Sequence, residues 1–98
     1  MVKPPTPEMA TFREEIDKID IKIAELMGQR FEIVKKVAHH KKQHNIPSVL
    51  PDRVEQVKTN AARHGVECGL DQDFMRALYT VIIDHACGFE DEIIEGGA

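Results

Sequence analysis

Apolar residues return every three or four positions along the first half of the chain. Ile16, Ile19, Ile23, Leu26, Ile33 and Val37 fall on one stripe of a helix, with polar residues between them. Thr11 followed by Glu14 has the form of a capping box, in which each side chain satisfies an N–H left free at a helix start. No proline follows before Pro47, so the spacing predicts one helix over residues 12–43, about 48 Å long at 1.5 Å per residue. A compact globule of this size has a radius of gyration of roughly 13 Å. Such a helix overhangs any core one chain can build, and a partner chain is the expected cover for its stripe.

Asn45, Ile46, Pro47 and Pro51 mark a connection over residues 44–50, because the residue before a proline avoids the α region while proline suits a first helical turn. A shorter helix then starts near Pro51 or Asp52, with Val54, Val57 and Ala61 on its apolar side and Gly65 as the expected C-cap. Asp71 can cap a third helix reaching about residue 94. Its main stripe is Phe74, Leu78, Val81, Ile82, His85 and Phe89, widened by Met75, Ile83, Ala86 and Ile93, and its polar face holds Asp73, Thr80, Asp84 and Asp91. Residues 1–10, with Pro4, Pro5 and Pro7, read as an unstructured arm. The chain reads as an all-α protein of three helices (long, short, long), with residues 11–98 forming a single domain.

At 98 residues and 42% hydrophobic content, one small core is the ceiling, and oligomerisation is its expected reinforcement. Cys68 and Cys87 make no disulfide framework and no Cys-x-x-Cys motif, which favours a reducing compartment. With no apolar leader or span in the sequence, the expected location is the cytoplasm and no membrane contact is indicated. A net charge of −4 argues against nucleic acid as a partner. The basic run Lys35, Lys36, His39, His40, Lys41 and Lys42 has no interleaved aromatics and reads as a solvated helix face. His40 and His44 have metal-ligand spacing without a third ligand, and His85 reads as a packed core histidine. No metal or cofactor motif is present.

Charged residues on the wrong faces carry the chemistry. Arg30 lies seven residues from both Ile23 and Val37, so a permanent cation occupies the apolar stripe of the first helix. Lys41 lies eleven residues further on, roughly 20° away around the helix at 100° per residue. Together they read either as structural ion-pair partners or as a clamp for one anion. Glu90 sits beside Ile83, Ala86 and Ile93, where a carboxyl must pair with a cation or take up a proton. A salt bridge to Arg30 and a protonated hydrogen-bond donor are both open. Arg13 and Arg53 lie beside their stripes; with Arg30 and Lys41 they could converge on a small dicarboxylate, for which guanidinium groups are suited by bidentate pairing.

The stretch 12–20 (FREEIDKID), then Gln29-Arg30, Lys41, Asp52-Arg53, and finally Ile82-Ile83-Asp84 with Glu90, resembles the all-helical chorismate mutases over about residues 10–95. The resemblance implies an intertwined homodimer of three-helix chains and a cofactor-free Claisen rearrangement of chorismate to prephenate. It also implies roles: Arg30 and Arg53 bind substrate carboxylates, Arg13 reaches in from the other protomer, and Lys41 and Glu90 address the ether oxygen. Relatives carry Gln or Glu at the last position. Two departures concern the substrate, since acids found in many such mutases are replaced here by Leu50 and Val54. The segment 46–54 looks closer to isochorismate pyruvate lyases and to mutases acting on 4-amino-4-deoxychorismate, although the lyases carry Gln where this chain has Glu90. A dimeric helical module without catalysis is the reading from outside enzymology.

Overall fold

The computed structural model describes residue 3 and residues 6–96. They form three helices, α1 (Pro7–Gln43), α2 (Pro51–Glu67) and α3 (Gln72–Gly96), with no strand among the described residues. The expected long, short, long order is what the chain adopts. It divides into two units, residues 1–32 and 33–98, and α1 runs across the boundary. None of the helices is long and apolar enough to cross a membrane.

In the first unit, α1 starts at Pro7 rather than near Phe12. The reason is local: Thr6 Oγ1 accepts the Met9 N–H at 3.2 Å, and a proline at the first helical position gives up no hydrogen bond. Thr11, expected as the cap, instead turns its hydroxyl back to the Pro7 carbonyl at 3.2 Å. The expected arm is therefore helical from Pro7 onward, and its residues 1, 2, 4 and 5 lie outside the described residues. The stripe on this unit's part of α1 is exposed at Phe12, Ile16, Ile19, Ile23 and Leu26.

In the second unit, α1 ends in a Schellman motif. Asn45 takes the left-handed conformation (φ 56°), and the Ile46 N–H returns to the Lys41 carbonyl at 2.9 Å; asparagine tolerates this position better than most residues. The second helix ends in the same way. Gly69 has φ 83°, and the Leu70 N–H reaches the Gly65 carbonyl at 2.8 Å. Gly65, expected as the C-cap, is thus a buried interior residue of α2, and its missing side chain has a packing reason: a Cβ there would collide with Met75 Cγ of α3. Gly65→Ala is expected to lower stability by about 1–3 kcal/mol through overpacking, outweighing alanine's helix preference of about 1 kcal/mol. Urea unfolding should show a lower midpoint at unchanged m, and the loss should shrink in a Met75→Ala background.

The α3 cap is as expected, with Asp71 Oδ2 accepting the Phe74 N–H at 2.8 Å. Its buried line is not. Ile83, Ala86 and Glu90 are buried, whereas Phe74, Leu78 and Val81 of the expected main stripe are exposed, as is His85. The helix packs on α2 through the Met75 side, so the Phe74 line is the one left over. Arg76 ties this pair from outside, donating to Glu55 at 2.8 Å and holding that exposed carboxyl below its ordinary range by this hydrogen bond and the guanidinium charge.

Candidate active site

The second unit brings Lys41 and Glu90 together. Lys41 sits in the last turn of α1, where a cation also complements the carbonyl end of the helix. Its side chain, 13% exposed, places Nζ 2.7 Å from Glu90 Oε1, and the Glu90 side chain is 7% exposed. The cation that meets Glu90 in this unit is therefore Lys41, where the sequence had suggested Arg30. The ammonium also donates to the Ser48 carbonyl at 2.7 Å. Although close, Glu90 Oε1 is not aligned with any donor for a hydrogen bond. A buried carboxyl oxygen in ionic contact but without an aligned partner retains hydrogen-bonding capacity for something placed beside it.

Around this pair lie groups the sequence did not single out as site residues. The Ser48 hydroxyl bonds to Asp91 Oδ1, and Cys87 Sγ lies 3.9 Å from the Ser48 carbonyl as a weak donor. Burial, and next the Glu90 charge, push the Cys87 thiol above its ordinary value, with Lys41 opposing. This thiol stays protonated at neutral pH and is a poor nucleophile. No sequence signal marked Ser48, a neutral residue next to Pro47, whereas Asp91 was legible only as part of a polar face.

The arginines are placed as follows. Arg53 is in the first turn of α2, exposed, with Nη1 donating to Gln56 Oε1 at 2.6 Å. Arg13 is exposed and Arg30 half-buried on the first unit's part of α1. Leu50 and Val54 bracket the α2 start, joined by the Val54 N–H to Leu50 carbonyl bond of 3.0 Å, so no side-chain acid stands at either position. Among the described residues no group of His, Cys, Asp and Glu is placed to hold a metal ion. The His40 and His44 rings lean on each other at 4.3 Å. The chemistry available is that of an ammonium and a carboxyl presented together, suited to stabilising negative charge that grows on an oxygen.

Residues 12–91 match the family described as chorismate mutase type II. The chain is 35% identical to a 4-amino-4-deoxychorismate mutase of Streptomyces pristinaespiralis, covering 95% of this chain and 73% of that protein. It is 34% identical to another protein of that name from Streptomyces venezuelae, covering 89% and 84%. An isochorismate pyruvate lyase of Pseudomonas aeruginosa is 37% identical over 80% of each chain. With the family matched across all three helices and through both Lys41 and Glu90, this chain belongs to the chorismate mutase type II family.

Proposed function

We propose that the chain catalyses the Claisen rearrangement of a chorismate-type enolpyruvyl ether, with 4-amino-4-deoxychorismate preferred over chorismate. The observation that carries the chemistry is the buried Lys41–Glu90 pair, whose Oε1 has no aligned hydrogen bond. In this reaction the ether C–O bond breaks while a C–C bond forms from the enolpyruvyl methylene to the ring, with no proton gained or lost. Lys41 and the Glu90 carboxyl address the ether oxygen as negative charge gathers there, and Arg13, Arg30 and Arg53 hold the two carboxylates in the reactive conformer. The choice of ring substituent is supported by the two Streptomyces relatives. A pyruvate lyase acting on isochorismate is the second reading, supported by the Pseudomonas relative.

Purified protein given 4-amino-4-deoxychorismate, chorismate and isochorismate separately, with products resolved chromatographically, tests this. Rearranged product from the first at higher kcat/KM than prephenate from the second is expected. Salicylate and pyruvate as the dominant products would move the chain to the lyase class. No turnover of any of the three, with no thermal stabilisation by a dicarboxylate transition-state mimic, would leave a non-catalytic helical module.

Glu90→Gln keeps a hydrogen-bond donor at this position and Glu90→Ala removes it, so kcat should be largely retained in the first and fall by at least about tenfold in the second. An equal loss in both variants would remove the donor role.

The two-chain assembly rests on separate grounds. Arg13 and Arg30 are seventeen residues apart on one helix, about 26 Å along its axis, too far for one chain to bring both to one small dicarboxylate. We assign them to one site from two protomers, an arrangement that would also cover the exposed apolar stripe of α1.

A further inference from the structure

We infer that Ser48 and Asp91 are positioning residues for Lys41, an inference that rests on the reaction proposed above. An ammonium has three N–H bonds and a long flexible stem, so its direction must be imposed by what it touches. Two contacts hold this one, a hydrogen bond to the Ser48 carbonyl at 2.7 Å and ionic contact with Glu90 Oε1 at 2.7 Å, which leaves donor capacity for a ligand. The Glu90 contact has no aligned hydrogen bond, so the Ser48 carbonyl supplies the directional one.

That carbonyl belongs to the connection between α1 and α2 and is held there from two sides. On the α1 side, the Lys41 carbonyl accepts the Ile46 N–H, so the residue whose ammonium is being aimed also fixes where the chain leaves its helix. On the α3 side, the buried Ser48 bonds through its hydroxyl to Asp91, next to Glu90 in sequence. Lys41, Ser48, Asp91 and Glu90 thus form one closed circuit. The positions of cation and carboxyl are set by a serine and an aspartate that need not touch the substrate. Without the hydroxyl, Ser48 keeps the weak Cys87 contact to α3 at 3.9 Å but loses its bond to Asp91. The carbonyl drifts, and the ammonium turns to the Glu90 charge instead of toward the ligand.

The test combines kinetics with a spectrum of the ammonium itself. Ser48→Ala is expected to lower kcat about tenfold with KM changed much less, since a small misplacement of an oriented group has effects of this order or larger. Ser48→Thr, which keeps a hydroxyl, should recover most of the rate. Asp91→Ala should match Ser48→Ala, and the double variant should be no worse than either, as expected for one circuit. In the 1H–15N spectrum of the lysine amines, the Lys41 signal, assigned by its loss in Lys41→Met, should be resolved in the wild type and in Ser48→Thr and broadened by exchange in Ser48→Ala. A Ser48→Ala protein with a lower melting temperature but wild-type kcat would overturn the inference by making the bond merely structural. So would an unchanged Lys41 signal in that variant. Wild-type protein inactive on all three substrates would count against the proposed reaction, while the ammonium signal would still decide whether Ser48 aims Lys41.

Discussion

Lys41→Met is expected to be the most damaging single substitution in the second unit, lowering kcat/KM by about 10²–10³-fold, the scale seen when one preorganised charge-stabilising donor is removed. It should also destabilise the fold by about 3 kcal/mol, because it strands a buried carboxyl that has lost its cation. The two effects can be separated. Glu90 is buried, so the loss of its cation is felt by the fold as well as by the reaction. Lys41→Met/Glu90→Gln removes the stranded charge and should regain most of the stability without regaining activity. Denaturant unfolding of the three proteins, beside their kcat/KM, checks both halves. A single variant that unfolds like the wild type would show that the pair contributes no net stability.

The pairing behind that prediction was only half legible in the sequence. Periodicity identified Lys41 and Glu90 as charges on faces where charges are costly, and a long uninterrupted pattern closed by prolines was enough to place the three helices. Which cation meets which anion depends on how helices pack, and packing is not written in one helix's pattern. The third helix shows this most clearly. It carries two apolar lines, and the richer one, with Phe74, Leu78 and Val81, reads as the core face, yet the chain buries the line of Ile83, Ala86 and Glu90 instead. A strong apolar stripe says that something covers it and does not say what.

The same limit applies to the glycines and to the first cap. Gly65 and Gly69 are both plausible helix stops, and only the approach of Met75 to Gly65 and the positive φ of Gly69 tell them apart. The cap shows it too: the prolines of residues 1–10 read as an unstructured arm and Thr11 as the cap, yet Thr6 caps the helix, because proline at the first helical position is well tolerated. Ser48 was invisible for a different reason. Its importance lies in a backbone carbonyl and in a hydroxyl bonded to a residue forty-three positions away, and neither leaves a compositional trace.

Arg13 and Arg30 give the second large expected effect. Each should be required for turnover, and Arg13→Ala and Arg30→Ala should each lose at least about a hundredfold in kcat/KM, because bidentate guanidinium contacts to carboxylates are strong and directional. When equal amounts of the two inactive proteins are unfolded together and refolded, half of the dimers should be mixed. A mixed dimer has one site that takes Arg13 from the Arg30→Ala chain and Arg30 from the Arg13→Ala chain, and a second site lacking both. Recovery of about a quarter of wild-type activity is therefore expected from random assortment of a two-fold dimer. Sites built from one chain alone predict no recovery at all, since every site would then carry one of the two lesions. Sedimentation of each variant as a dimer would exclude failed assembly as the cause of inactivity. Because the two arginines are separated by seventeen positions of one helix, the result depends on which chain supplies each guanidinium and not on small adjustments within one protomer.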